Sequence, residues 1–188
     1  MKDFRGREFV IVDVETTGLS PRFGDRIIEI AALKVRDLQP VEEFVTFINP
    51  RRALSYGAFL VNRITPEMLK DAPTADKAMP AFLDFAGQAC LVGHNISFDL
   101  SFIAHELGLL GRELPAAGRT LDTMRMARNL LPDLGSYSLK SVACNLAVEQ
   151  AQQHRAMADV QITFEVFRKL LEIADRKDIC EFEQLLSL

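Results

Sequence analysis

The spacing of apolar and polar positions changes about a quarter of the way along the chain. Before that point it is the spacing of strands. Phe9-Val10-Ile11-Val12-Asp13-Val14 is a β-branched run, and Arg26 to Val35 and Val41 to Ile48 are two further strand segments. Asn49-Pro50 closes this part as a turn. Three strands so closely spaced predict an antiparallel meander. Helical spacing then takes over. Thr65-Pro66-Glu67 offers an N-cap residue followed by proline at the first helical position. Residues 76–85 place Met79, Phe82 and Leu83 on one stripe, continued by Ala86. Ala89-Cys90-Leu91-Val92, ending at Gly93, predicts a short buried strand. Residues 97–107 predict a helix with Leu100, Ile103, Ala104 and Leu107 on one face, and shorter helices are predicted over 122–130 and 138–146. A long helix is predicted over 156–174, with Ile162, Val166, Leu170 and Ile173 as its stripe. Strands first and helices later, with a strand–helix step between them, predict an α/β chain in which helices pack on a mixed sheet.

Composition narrows the class. A chain of 188 residues suits one domain, 1–188, and at this size roughly 70% of the unfolded chain's surface can be buried without disulfides. Hydrophobic residues at 48% and charged residues at 26% are a globular mix, with no repeat or low-complexity tract. Lys and Arg number 22 against 26 Asp and Glu, a net charge of −4. That balance argues against a general nucleic-acid coat protein, which grips phosphates with a basic excess, but not against a nucleic-acid enzyme. Met1 to Glu8 contain no apolar signal core, and no run approaches the ~18 apolar residues of a membrane helix. Cys90, Cys144 and Cys180 form no CxxC pair, so neither zinc nor a disulfide framework is indicated. Reduced thiols in a cytoplasmic protein with no membrane partner are expected.

Candidate chemistry lies in four acids and a histidine. Period-2 geometry puts Asp13 and Glu15 on one face, with Cα atoms about 6.6 Å apart, continuing the stripe of Phe9 and Ile11, while Val10, Val12 and Val14 point the other way. Like charges beside a buried stripe repel and lose hydration, which raises their pKa. Either the strand has ended and both face water, or they form a site; the pair on one face, followed by Thr16-Thr17-Gly18, favours the site. Gly18 would let backbone amides approach a ligand. In Gly93-His94-Asn95-Ile96-Ser97-Phe98-Asp99, Asn95 or Ser97 could cap the following helix. Asp99 falls in its first turn, either as a helix-dipole acid or at the strand's carboxyl edge, where α/β sites form. His154 and Asp159 are about 140° apart on a helical wheel. They can share a site only if His154 lies in the loop before the helix.

Together these stretches resemble the DEDDh (DnaQ-like) 3′→5′ exonuclease superfamily, which includes the proofreading epsilon subunit of bacterial DNA polymerase III and ribonuclease T. Asp13-Val14-Glu15-Thr16-Thr17-Gly18 is similar to its first motif, His94-Asn95-Ile96-Ser97-Phe98-Asp99 to its second and His154-Arg155-Ala156-Met157-Ala158-Asp159 to its third. Shorter matches are Ile28-Glu29-Ile30-Ala31-Ala32, Ile48-Asn49-Pro50, Ile64-Thr65-Pro66-Glu67-Met68 and Tyr137-Ser138-Leu139. The resemblance covers nearly the whole chain. It implies a ribonuclease H-like fold, a five-stranded mixed sheet with helices on both sides. It also implies that Asp13, Glu15, Asp99 and Asp159 bind two divalent metals, Mg²⁺ or Mn²⁺, with Asp13 bridging, and that His154 is the general base. Such a site would release nucleoside 5′-monophosphates from nucleic-acid 3′ ends, single-stranded DNA foremost, in proofreading beside a DNA polymerase subunit or in repair. RNA trimming and a non-catalytic binding module are the alternatives. Glu15, Thr16, Thr17, Gly18, Phe98 and His154 are the expected substrate contacts, Glu15 and the Thr16 backbone holding the terminal 3′-hydroxyl. Arg51, Arg52 and Arg63 around one loop, or Arg125 and Arg128 on one helical face, could hold phosphates or simply be solvated. One departure is Asn62-Arg63 before Ile64, where a glycine is expected at the second position. Gln184-Leu185-Leu186-Ser187-Leu188 loosely resembles short clamp-docking peptides and reads equally as the end of an amphipathic helix.

Overall fold

A computed structural model describes residues 6–114, 119–149, 155–179 and 181–188. β1 (Glu8–Thr16), β2 (Ile27–Arg36) and β3 (Gln39–Phe47) form the expected antiparallel meander. Three helices follow: α1 (Tyr56–Asn62), α2 (Pro66–Leu69) and α3 (Ala75–Ala86). β4 (Cys90–Gly93) then runs parallel to β1 and leads into α4 (Ile96–Leu109). β5 (Thr120–Asp122) joins β4 in parallel, and α5 (Thr123–Leu130), α6 (Leu139–Asn145), α7 (Ala156–Arg176) and α8 (Phe182–Leu186) complete the chain. The sheet has five strands in the order β3-β2-β1-β4-β5.

Strand alternation assigns the two faces. Phe9, Ile11, Ala31, Leu33, Val35, Cys90, Val92 and Leu121 bury themselves against α5, α6, α7 and α8. Val10, Val12, Val14, Ile30, Ala32 and Leu91 meet α3 and α4 on the other side. Helices thus cover both faces, as the resemblance implies, and the central strands are apolar on both sides because both are covered. The residue-by-residue reading places β1, β2, β4, α3, α4 and α7 within a few residues. It misses α1, β5 and a 3₁₀ turn at Pro21–Phe23. Asn95, not Ser97, occupies the N-cap of α4, in a left-handed conformation (φ 64°) and without a side-chain bond to the helix amides.

The C-terminal segment is the end of a helix. Leu185 is buried against the sheet, and the Gln184 side chain accepts from the Glu181 backbone N–H at 3.0 Å. Cys90 and Cys144 are free thiols, and burial pushes Cys90 up to about 12. Cys180 lies outside the described residues. No helix among the described residues is long and apolar enough to cross a membrane.

Candidate active site

β1 pairs with β4 only from Phe9 to Ile11, because β4 ends at Gly93 and the chain turns into α4. The last residues of β1 therefore run past their neighbour on that side, and their backbone groups need other partners. Asp99, in the first turn of α4, supplies one: its Oδ1 accepts from the Val14 N–H at 3.0 Å. On the opposite face, Asp13 and Glu15 continue the Phe9–Ile11 stripe beneath α7, and the first turn of α7 brings Asp159 to them. Carboxylate oxygens of Asp13, Glu15 and Asp159 all lie within 4.8 Å of one another. Asp99 reaches the same strand end from the other face and is 4% exposed.

Burial dominates the electrostatics, and mutual repulsion adds to it. Asp13 is raised well above the ordinary carboxylate range, first by burial and then by Asp99, Glu15, Asp159 and Glu29. Burial, with Asp159 and Glu29 beside it, raises Glu15 to about 7, while an Asn62 hydrogen bond and Arg155 pull it the other way. Asp99 is raised to about 8 by burial, against the stabilising Val14 amide. Concentrated negative charge of this kind suits a divalent cation, and an all-oxygen donor set suits a hard one.

The loop after β1 is built inward. Thr17 is buried; its hydroxyl donates to Asp25 and accepts from the Arg26 N–H. Asp25 also accepts from Ser20 N–H and pairs with Arg52 at 3.5 Å. A Cβ at Gly18 would collide with the Asp25 carboxylate, so this position is glycine for close approach. The Thr16 hydroxyl donates to Gly18 O. Thr16 and Thr17 side chains are thus spent on the turn, and so is much of its backbone: Thr17 N–H donates to Arg26 O, and the Thr17 carbonyl accepts from the Ser55 hydroxyl. Phe98 is half-buried against Phe102, ring centroids 5.0 Å apart. Arg51 and Arg63 are exposed, and Arg128 lies over the Tyr137 ring. His94 is held by Thr123 and the Tyr137 carbonyl, and burial lowers its pKa. His154 lies outside the described residues, although Arg155, which follows it, opens α7.

Two nearby residues were not proposed as site residues from the sequence. Glu29, on β2 directly opposite Glu15, is 1% exposed and binds Arg155. Asn62, 2% exposed, donates to the Thr16 carbonyl at 3.4 Å and accepts from Ile64 N–H. The available signal for Glu29 was an acid between apolar residues in Ile28-Glu29-Ile30; the departure noted beside Asn62 concerns Arg63.

A family model described as an exonuclease matches residues 10–167. The chain belongs to this exonuclease family. Its divalent-metal chemistry fits the carboxylate cluster. Among curated proteins, the chain is 42% identical over 165 residues to the PolC-type DNA polymerase III of Caldanaerobacter subterraneus subsp. tengcongensis, covering 88% of this chain and 12% of that protein. It is 38% identical over 176 residues to the PolC-type enzyme of Clostridium perfringens, covering 92% and 12% respectively. The chain thus spans about an eighth of the length of these polymerases. Among solved structures, exonuclease X in complex with 5′-overhanging duplex DNA superposes with a TM-score of 0.75 at 28% identity, covering 95% of this chain and 98% of that one. E. coli exonuclease I bound to a dT13 oligonucleotide gives a TM-score of 0.80 at 22% identity over 92% of this chain and 42% of that one, a likeness of fold alone. The fold is ribonuclease H-like, as expected.

Proposed function

We propose that this exonuclease domain hydrolyses DNA from its 3′ end in a metal-dependent reaction that releases nucleoside 5′-monophosphates. The observation that carries this reading is the convergence of Asp13, Glu15 and Asp159, with Asp99 on the other side of the same strand end. Unlike the buried pairs elsewhere in the fold, this cluster is held at raised pKa values by burial first and by mutual repulsion second, so the donor set fits divalent cations such as Mg²⁺ or Mn²⁺. Two such ions would neutralise the scissile phosphate, acidify the attacking water and stabilise the leaving 3′-oxygen. Asp13, close to Glu15 and Asp159, would be among the residues that hold them. His154 accepts the proton of the attacking water, as an imidazole titrating near neutrality can. Glu15 and the Thr16 backbone hold the terminal 3′-hydroxyl, and Phe98 offers a partly exposed ring to a terminal base. The kinship with PolC-type polymerases and with exonuclease X favours DNA over RNA, and that with the polymerases favours proofreading beside a polymerase subunit.

One assay tests this with end-labelled single-stranded DNA and RNA, in Mg²⁺, Mn²⁺ or chelator. Mononucleotides should appear from DNA only with metal and only from the 3′ end. Release from RNA alone would transfer the reading to an exoribonuclease; no release from either would remove the enzymatic reading. Asp13→Ala should abolish turnover in a folded chain, and His154→Ala should lower it by roughly 10²- to 10⁴-fold, the usual worth of a positioned base.

A further inference from the structure

We propose that Glu29 and Arg155 act as a positioning pair that seats the first turn of α7, and so delivers Asp159 to Asp13 and Glu15. The proposal rests on the reading of those carboxylates as a metal site. Glu29 stands in a cross-strand row, with Glu15 opposite it on β1 and Phe47 opposite it on β3. Two acids facing each other across an antiparallel ladder repel, and Glu29 is only 1% exposed, so water does little to relieve it. Three donors do so instead. Arg155 Nη2 and Nε reach its two oxygens at 2.9 and 3.3 Å, and the Ala156 backbone N–H reaches the second at 3.2 Å. The Arg155 guanidinium lies over the Phe47 ring, 5.2 Å from its centroid, so one strand residue bonds it and the next supports it.

Arg155 is the N-cap position of α7 and has no side-chain cap of its own on the helix amides. Glu29 takes that role from another strand, at the end of the helix where a negative charge is favoured. The Arg155 carbonyl in turn accepts from Asp159 N–H at 3.1 Å and from Ala158 N–H at 2.8 Å. One residue therefore grips β2 with its side chain and holds the Asp159 backbone with its carbonyl. Sliding or rotating the first turn of α7 breaks all three bonds to Glu29. Glu29 itself stands apart from the trio of converging carboxylates, its oxygens being occupied.

The test uses the full chain and four variants, Glu29→Gln, Glu29→Asp, Arg155→Gln and the double Glu29→Gln/Arg155→Gln. Mn²⁺ binding is measured by calorimetry on the metal-free protein, thermal unfolding follows the fold, and mononucleotide release is measured at saturating Mn²⁺. Groups that orient metal ligands typically contribute 10- to 100-fold to affinity or rate, so Glu29→Gln and Arg155→Gln should each weaken Mn²⁺ binding by about 10-fold or more. The double variant should bind no more weakly than the worse single one, because both remove the same link. Glu29→Asp, which keeps the charge but withdraws the carboxylate by a methylene, should fall between wild type and Glu29→Gln. Variants with a lower Tm and wild-type Mn²⁺ affinity would reduce the pair to a structural brace and overturn the proposal. Losses that multiply in the double variant would overturn it too. If Glu29→Gln fails to fold, Arg155→Gln, at a half-exposed side chain, and Glu29→Asp decide the matter. Wild type that binds no Mn²⁺ removes the metal reading and the pair together; wild type that binds it beside unaffected variants removes the pair alone.

Discussion

Asp13 bears charge repulsion from four other carboxylates, and the metal-free chain bears the cost. The folded state holds Glu15 near 7 and Asp99 near 8, above the ordinary 4.5 and 3.8, and Asp13 shifts the same way. A folded state that binds protons more tightly than the unfolded chain gains stability where those protons are bound and loses it as they leave. The metal-free protein should therefore lose stability from these groups between about pH 4 and pH 8, as the pH rises through the folded-state values. Asp13→Asn removes one charge from the cluster at constant size. Its Tm should gain on wild type steadily from pH 5 to pH 8, while Mn²⁺ at pH 8 should raise the Tm of wild type and leave the variant's unchanged. Parallel Tm curves for the two proteins across this range would show that the cluster is relaxed by solvent and carries no strain.

At the scale of the element, α1 shows what local pattern conveys and what it does not. Its C-cap is Arg63, at φ 58° and ψ 19°, the left-handed conformation that favours glycine. The glycine expected there by resemblance is explained by that backbone, and the arginine carries its cost. Arg63→Gly should raise stability in urea unfolding by about 0.5 kcal/mol, a left-handed penalty of roughly 1–2 kcal/mol less the greater chain entropy of glycine. A loss of stability would mean that the stacking of Arg63 on Phe59 outweighs the strain. α1 itself was not legible: Tyr56, Leu60 and Val61 are exposed, so no buried stripe marks it, and Gly57 weakens its helical propensity. β5 has three residues, too few to show a period. β1 and α7 were legible to within a few residues, because a β-branched run and a long buried stripe each repeat one period many times. The face shared by Asp13 and Glu15 followed from alternation alone. Their meeting with Asp99 and Asp159 came only through resemblance, and Glu29 stayed hidden within a strand word because its partner lies 126 residues away.

For the whole molecule, the charge balance decides how nucleic acid is held. The 26 acids less Asp13, Glu15, Asp99 and Asp159 leave 22, equal to the 22 Lys and Arg. The formal excess of −4 thus equals the charge of the proposed metal site, and two divalent ions would return the chain to neutrality. Several surface arginines are already engaged within the fold: Arg26 with Glu106, Arg36 with Glu8, Arg52 with Asp25, Arg119 with Glu183 and Arg155 with Glu29. A DNA strand approaching the metal-free protein meets the repulsion of the carboxylate cluster at the site. Binding should therefore depend on the metal more than on the surface. Fluorescence anisotropy with a 5′-labelled oligo-dT, its last linkages made phosphorothioate to slow cleavage, measures this directly. Adding Mn²⁺ to chelated protein should tighten binding by about 10-fold or more, since the loss of a few unit charges at close range is worth more than 1.4 kcal/mol at an effective dielectric near 20. The salt dependence should also be shallow, because only phosphates held by Lys or Arg add to the logarithmic slope, about 0.7 each for a single strand, and a phosphate held by the metal adds none. Equal affinity in chelator and in Mn²⁺, with a steep salt slope, would place the grip in exposed arginines such as Arg51 and Arg63 and leave the carboxylates to the chemistry alone.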